Sequence, residues 1–109
     1  MNWIALQNEE QLDEIRQRSA ERPQVIFKHS IRCSTSALVK SRLERGKQPW
    51  DIDFYYLDLI NYRPISNQIA ESFCIHHESP QVLIIRNGEC IYDESHLGIS
   101  MDEIVEKAA

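Results

Sequence analysis

At 109 residues, with 42% hydrophobic and 27% charged residues, the chain has the length and composition of one globular domain spanning 1–109. No apolar run approaches the ~20 residues needed to cross a bilayer, and no basic then apolar leader opens the chain, so a cytoplasmic protein without membrane contact is expected. The net charge of −5 and the lack of aromatic residues interleaved with the basic ones speak against nucleic-acid binding.

Trp3, Ile4 and Leu6 form a short apolar segment that reads as a first strand. Asn8 with Gln11 has the spacing of a capping box, and Leu12 and Ile15 share one face of the helix it opens, from about Glu9 to Ala20. Pro23 ends that helix ahead of a strand over 24–28. A polar turn follows, then a helical pattern from Cys33 (Ala37, Leu38, Val39, Leu43) with Gly46 as its stop. The run Asp53–Leu59 is strongly β-type, and Arg63-Pro64 opens a helix with proline suited to its first position. After the polar connector 76–80, Val82–Ile85 is a strand, Asn87-Gly88 a type I′ turn, and Cys90–Tyr92 the returning strand. Ser100 with Glu103 is a second capping box, ahead of a last helix whose Met101, Ile104, Val105 and Ala108 face one way.

The order β-α-β-α-β-α-β-β-α, with central strands that are mostly apolar rather than alternating, predicts an α/β three-layer sandwich with a closing hairpin. Three cysteines without regular spacing argue for reduced thiols rather than a disulfide framework. One stands out. Cys33 falls at the start of a helix, among unpaired N–H groups and the positive end of the helix dipole, where a thiolate is favoured. Residues 22–47 carry seven of the twelve Lys and Arg and only one acid, about +6 against about −11 elsewhere. That asymmetry is either solvated surface or a local positive field around Cys33 that draws an acidic thiol ligand. A dithiol motif would place a cysteine three residues on, where Ser36 stands, so the chemistry implied is monothiol exchange.

The element order, the cysteine after the second strand and Ser79-Pro80 before the Val82 strand together resemble the thioredoxin fold. Within it, Lys28-His29-Ser30 leading to Cys33-Ser34-Thr35-Ser36, joined to His77-Glu78-Ser79-Pro80-Gln81-Val82, resembles the monothiol bacilliredoxins of the YtxJ-like type. The resemblance covers nearly the whole chain. It implies a thioredoxin-like α/β/α sandwich on a central mixed sheet, with a cis Pro80 packed against the catalytic cysteine. It also implies removal of bacillithiol, a small thiol built from cysteine, glucosamine and malate, from client proteins that carry it as a mixed disulfide. No bound cofactor or metal is implied; bacillithiol or a similar thiol is the co-substrate, and the protein is expected to act as a monomer. Dithiol thioredoxins keep a buried carboxylate where this chain has Phe27, and an aromatic where it has Arg32; both departures suit a monothiol with an anionic ligand.

On this reading Cys33 is the nucleophile and Ser36 stands in for the missing resolving cysteine. Arg32, Ser34, Thr35, His77, Ser79 and Pro80 contact the substrate, Ser79 through its backbone N–H and C=O groups. Cys74 ends an apolar helical face and reads as core; alternatively it resolves the Cys33 mixed disulfide, which requires Cα atoms within about 7 Å. Cys90 reads as structural. Cys74 with His76 and His77 lacks the fourth ligand a structural zinc wants. His29 reads as an exposed strand-end histidine or as a group tuning Cys33. Two other functions share the fold: a non-catalytic adaptor or redox-sensing module, and a one-cysteine cluster binder of the monothiol glutaredoxin kind.

Overall fold

The computed structural model describes residues 1–109. Its elements are β1 (Trp3–Ala5), α1 (Glu10–Arg18), β2 (Gln24–His29), α2 (Ser34–Arg45), β3 (Asp53–Asp58), α3 (Arg63–Ser72), β4 (Gln81–Arg86), β5 (Glu89–Ser95) and α4 (Met101–Ala108), with a 3-10 turn at His96–Gly98 before α4.

All six residues of β2 are buried. Alternate side chains of a strand leave opposite faces, so such a strand must be covered twice. Val25 and Phe27 pack with Val39 and Leu43 of α2 and with Met101, Ile104 and Ala108 of α4. Ile26 packs on the other face with Leu12 and Ile15 of α1 and with Ile65 and Ile69 of α3. The three-layer sandwich is the result. Sheet order is β1-β3-β2-β4-β5, with β1 and β2 parallel to β3, β4 antiparallel to β2, and β5 antiparallel to β4. No helix is long and apolar enough to cross a membrane.

The local signals act as read. Gln11 N–H donates to Asn8 Oδ1 at 3.0 Å while Asn8 N–H donates to Gln11 Oε1 at 3.2 Å, closing the first capping box. Glu103 N–H donates to Ser100 Oγ at 3.2 Å. Asn87 and Gly88 have φ of 53° and 77°, the two positive values that a type I′ turn requires. Two boundaries differ by two residues or more. Helix α1 stops at Arg18 because Ser19 turns inward: its Oγ accepts Gly88 N–H at 2.8 Å and its carbonyl accepts Asn87 N–H at 2.9 Å, tying the helix end to the hairpin. Strand β5 runs to Ser95 because its pairing continues to Gln81.

Gly46 is where α2 meets α4. A Cβ there would lie 2.9 Å from Met101 Cβ, an atom anchored to backbone. Gly46→Ala should therefore destabilise the fold by about 1–2 kcal/mol, overpacking outweighing the gain from a stiffer unfolded chain. Urea unfolding would show a lowered midpoint at unchanged slope.

Candidate active site

Strand β2 delivers the chain to one end of the sheet, and residues 30–32 turn it into α2. Cys33 N–H donates to Ser30 O at 3.2 Å, and Cys33 O accepts Ala37 N–H at 3.1 Å. Cys33 is thus the N-cap of α2, in extended conformation (φ −108°, ψ 118°). No side chain caps this end and no acid occupies the first turn. Half-buried Cys33 therefore sits at the positive end of a 12-residue helix whose first-turn N–H groups are bound by no capping side chain. Ile31, Arg32 and Ser34 around it are exposed, and Thr35 is half-buried.

Ser36 is wholly buried. Its Oγ accepts Ser30 N–H at 3.1 Å and lies 2.6 Å from His29 Nδ1. His29 is buried too, its ring against Phe27 and Tyr56; burial first, then Lys40, holds its pKa below the ordinary value. The exposed strand-end reading of His29 is thereby corrected: a strand covered on both faces carries its last residue inside. Ser36 hydrogen-bonds the turn that presents Cys33.

The Ser79–Pro80 bond is cis. Lys28 pairs with Gln81 and Phe27 with Val82, which puts Pro80 at the same sheet end as the Cys33 turn. Pro80 is buried, and Ser79 Oγ is enclosed without a hydrogen-bond partner. Pro80 O accepts His96 N–H at 3.0 Å, and Leu97, 59% exposed, follows. Tertiary pairing brings the 96–97 turn here, and sequence reasoning did not place it.

His77 is half-buried, with Nδ1 3.2 Å from Lys28 Nζ and 3.3 Å from Ser66 Oγ. Lys28, counted above with the basic segment around Cys33, is completely buried on the α3 face. Its polar contacts are His77 Nδ1 and, at 3.5 Å, Ser66 O. Burial lowers its pKa to about 8. His77 is itself held below the ordinary histidine value, by burial and then by Lys28 and Arg63.

Cys74 is corrected on both readings. It is exposed, not core, and has φ 54°, the left-handed conformation that commonly follows a helix end. It lines a surface cleft of about 360 Å³ with Gly88, Glu89 and Cys90, at the β4–β5 turn. That turn lies at the end of β4 opposite Pro80, a strand length of roughly 16 Å. The separation exceeds the ~7 Å a disulfide spans, so this fold does not bring Cys74 within bonding reach of Cys33. Cys90 is half-buried, and burial pushes its thiol pKa up.

The family model of the monothiol bacilliredoxin BrxC matches residues 4–104. A solved protein provisionally described as an oxidoreductase with a thioredoxin fold is 26% identical, with a TM-score of 0.85 over 97% of this chain and 93% of that one. Thioredoxins from Malassezia sympodialis and Trypanosoma brucei brucei are 13% and 16% identical, each with a TM-score of 0.76, over 97% of this chain and 88% and 87% of theirs. At such identities the two thioredoxins show the fold.

Two stability measurements follow from the site. Ser36→Ala leaves Ser30 N–H and His29 Nδ1 without their partner and should cost about 1–3 kcal/mol in urea unfolding. Lys28→Met should stabilise the chain at pH 7 by something on the order of 2 kcal/mol, because a charged amine no longer has to leave water. Lys28 is charged below its folded pKa of about 8, so its desolvation cost is fully present there. Between about 8 and the ordinary 10.5 the folded chain has shed the proton that the unfolded chain still holds, and wild-type stability rises. The advantage of Lys28→Met should shrink from pH 7 to pH 10.

Proposed function

Since the chain belongs to the monothiol bacilliredoxin family, we propose that it is a thiol–disulfide oxidoreductase that strips bacillithiol, or a related small thiol, from protein mixed disulfides through Cys33. The observation that carries this reading is a cysteine standing as the uncapped N-cap of α2, with serine rather than cysteine three residues on.

The Cys33 thiolate attacks the small-thiol sulfur of the mixed disulfide. A new S–S bond joins Cys33 to the small thiol, the old one breaks, and the client leaves as a thiolate that takes a proton from water. A second small thiol then attacks that adduct, forming the small-thiol disulfide and restoring the Cys33 thiolate. One free small thiol is oxidised for each client sulfur reduced, one disulfide takes the place of another, and the electrons balance. This order is favoured when the attacking thiol is ionised near ambient pH and the leaving thiol is acidic. With Cys74 at the far end of the sheet, the external thiol is the resolving group.

The residues around Cys33 support the roles proposed for them. Arg32 offers an exposed cation to the carboxylates of the small thiol. The first-turn N–H groups of Ser34, Thr35 and Ser36 stabilise negative charge on the departing or attacking sulfur. Ser79 and Pro80 offer backbone to an extended client segment. Ser36 acts by holding the 30–33 turn.

Intact mass spectrometry after exposure to oxidised bacillithiol tests the proposal. Wild type and Cys74→Ser should each gain one small-thiol adduct that a second thiol removes, and Cys33→Ser should gain none. An equal adduct on Cys33→Ser, or none on wild type, would sink it.

A further inference from the structure

Lys28 and His77 are neighbours by register as well as by contact: Lys28 pairs with Gln81, one residue beyond Pro80, and the His77 ring folds back onto it. Gln81 closes the same loop, donating from Nε2 to His76 O at 2.9 Å and accepting Glu78 N–H at 3.3 Å. The segment leading into Pro80 is therefore held from beneath by two buried β-strand side chains.

A lysine ammonium has three N–H donors and no acceptor. At 3.2 Å from His77 Nδ1 it can only donate, so Nδ1 must present its lone pair. Ser66 Oγ, at 3.3 Å from the same nitrogen, can donate as well. A neutral imidazole carries one N–H, and with Nδ1 accepting, that proton belongs to Nε2. The charged groups acting on His77 are Lys28 and Arg63, opposed by Glu78, with His76 adjoining. Two cations against one acid favour an anionic acceptor.

We propose that Lys28 is a positioning residue that locks His77 in its Nε2–H tautomer, making the histidine a one-way donor to a carboxylate of the small thiol at the Ser79–Pro80 edge. The tautomer follows from geometry alone; the assignment of its acceptor rests on the function proposed above.

Long-range ¹H–¹⁵N spectra of the full-length labelled protein test the tautomer. At pH 7 wild-type His77 should show a single Nε2–H form, and it should stay neutral below the ordinary histidine range. In Lys28→Met it should exchange between both tautomers and protonate at a higher pH than in wild type, burial still holding it below the ordinary histidine value. A wild-type Nδ1–H form, or identical His77 spectra in the two proteins, overturns the lock. Steady-state exchange with bacillithiol disulfide tests the acceptor. Lys28→Met should raise KM about three- to tenfold, the range one hydrogen bond supplies, with kcat retained. An unchanged KM overturns the donor role. Absence of turnover in wild type would instead refute the proposed function, while the spectra still decide the lock.

Discussion

A single serine hydroxyl organises the end of the molecule that carries the candidate site. Ser36 Oγ joins the backbone of Ser30, at the close of β2, to the ring of His29 and to the first turn of α2. Three pieces of chain that would otherwise move independently are bound at one buried point, and Cys33 is suspended between them. A dithiol motif would hold, at the fourth position of this loop, a sulfur that takes part in chemistry. Here it holds an oxygen that takes part in structure, and burial holds the pKa of the histidine beside it below the ordinary value.

The same end of β2 explains why polar groups are buried there at all. A strand sandwiched between two helical layers cannot send a side chain to solvent from either face. Lys28 and His29, adjacent in sequence, therefore enter opposite layers. His29 finds Ser36 on the α2 side, and Lys28 finds His77 and Ser66 on the α3 side. One stabilises the Cys33 turn and the other reaches the loop of the cis proline, so two neighbouring residues brace the two edges of the candidate site. An unpaired ammonium in a dry layer is expensive, and its place beside the functional loop fits the general tendency of perturbed groups to gather at working sites.

Features set by local physics were legible in the sequence. The Asn8 and Ser100 caps, the Asn87-Gly88 turn, the proline at the start of α3 and the position of Cys33 at a helix start all depend on residues within a few positions of one another. The layered architecture was legible as well, because the doubly covered strands lack alternation. What escaped depends on tertiary packing. Lysine and histidine at the end of an apolar run look like residues reaching water, and only the second covering layer shows otherwise. Cys74 looked like the last residue of an apolar helix face. That face ends one residue earlier, at Phe73, and the chain then turns left-handed with neither the glycine nor the asparagine that usually marks such a turn. The approach of His96 and Leu97 to Pro80 comes from sheet pairing and has no local signature.

The placement of Cys74 and Cys90 bears on kinetics. A resolving thiol inside a protein acts at an effective concentration in the millimolar range, independent of its surroundings. With both other sulfurs a sheet's length from Cys33, that intramolecular advantage is absent. On the proposed reading, the cycle would run at a pace set by how much free thiol the surroundings hold. Such a protein would be a follower of its redox buffer, fast in a replete medium and arrested in a depleted one, with Cys33 left capped against further oxidation until supply returns.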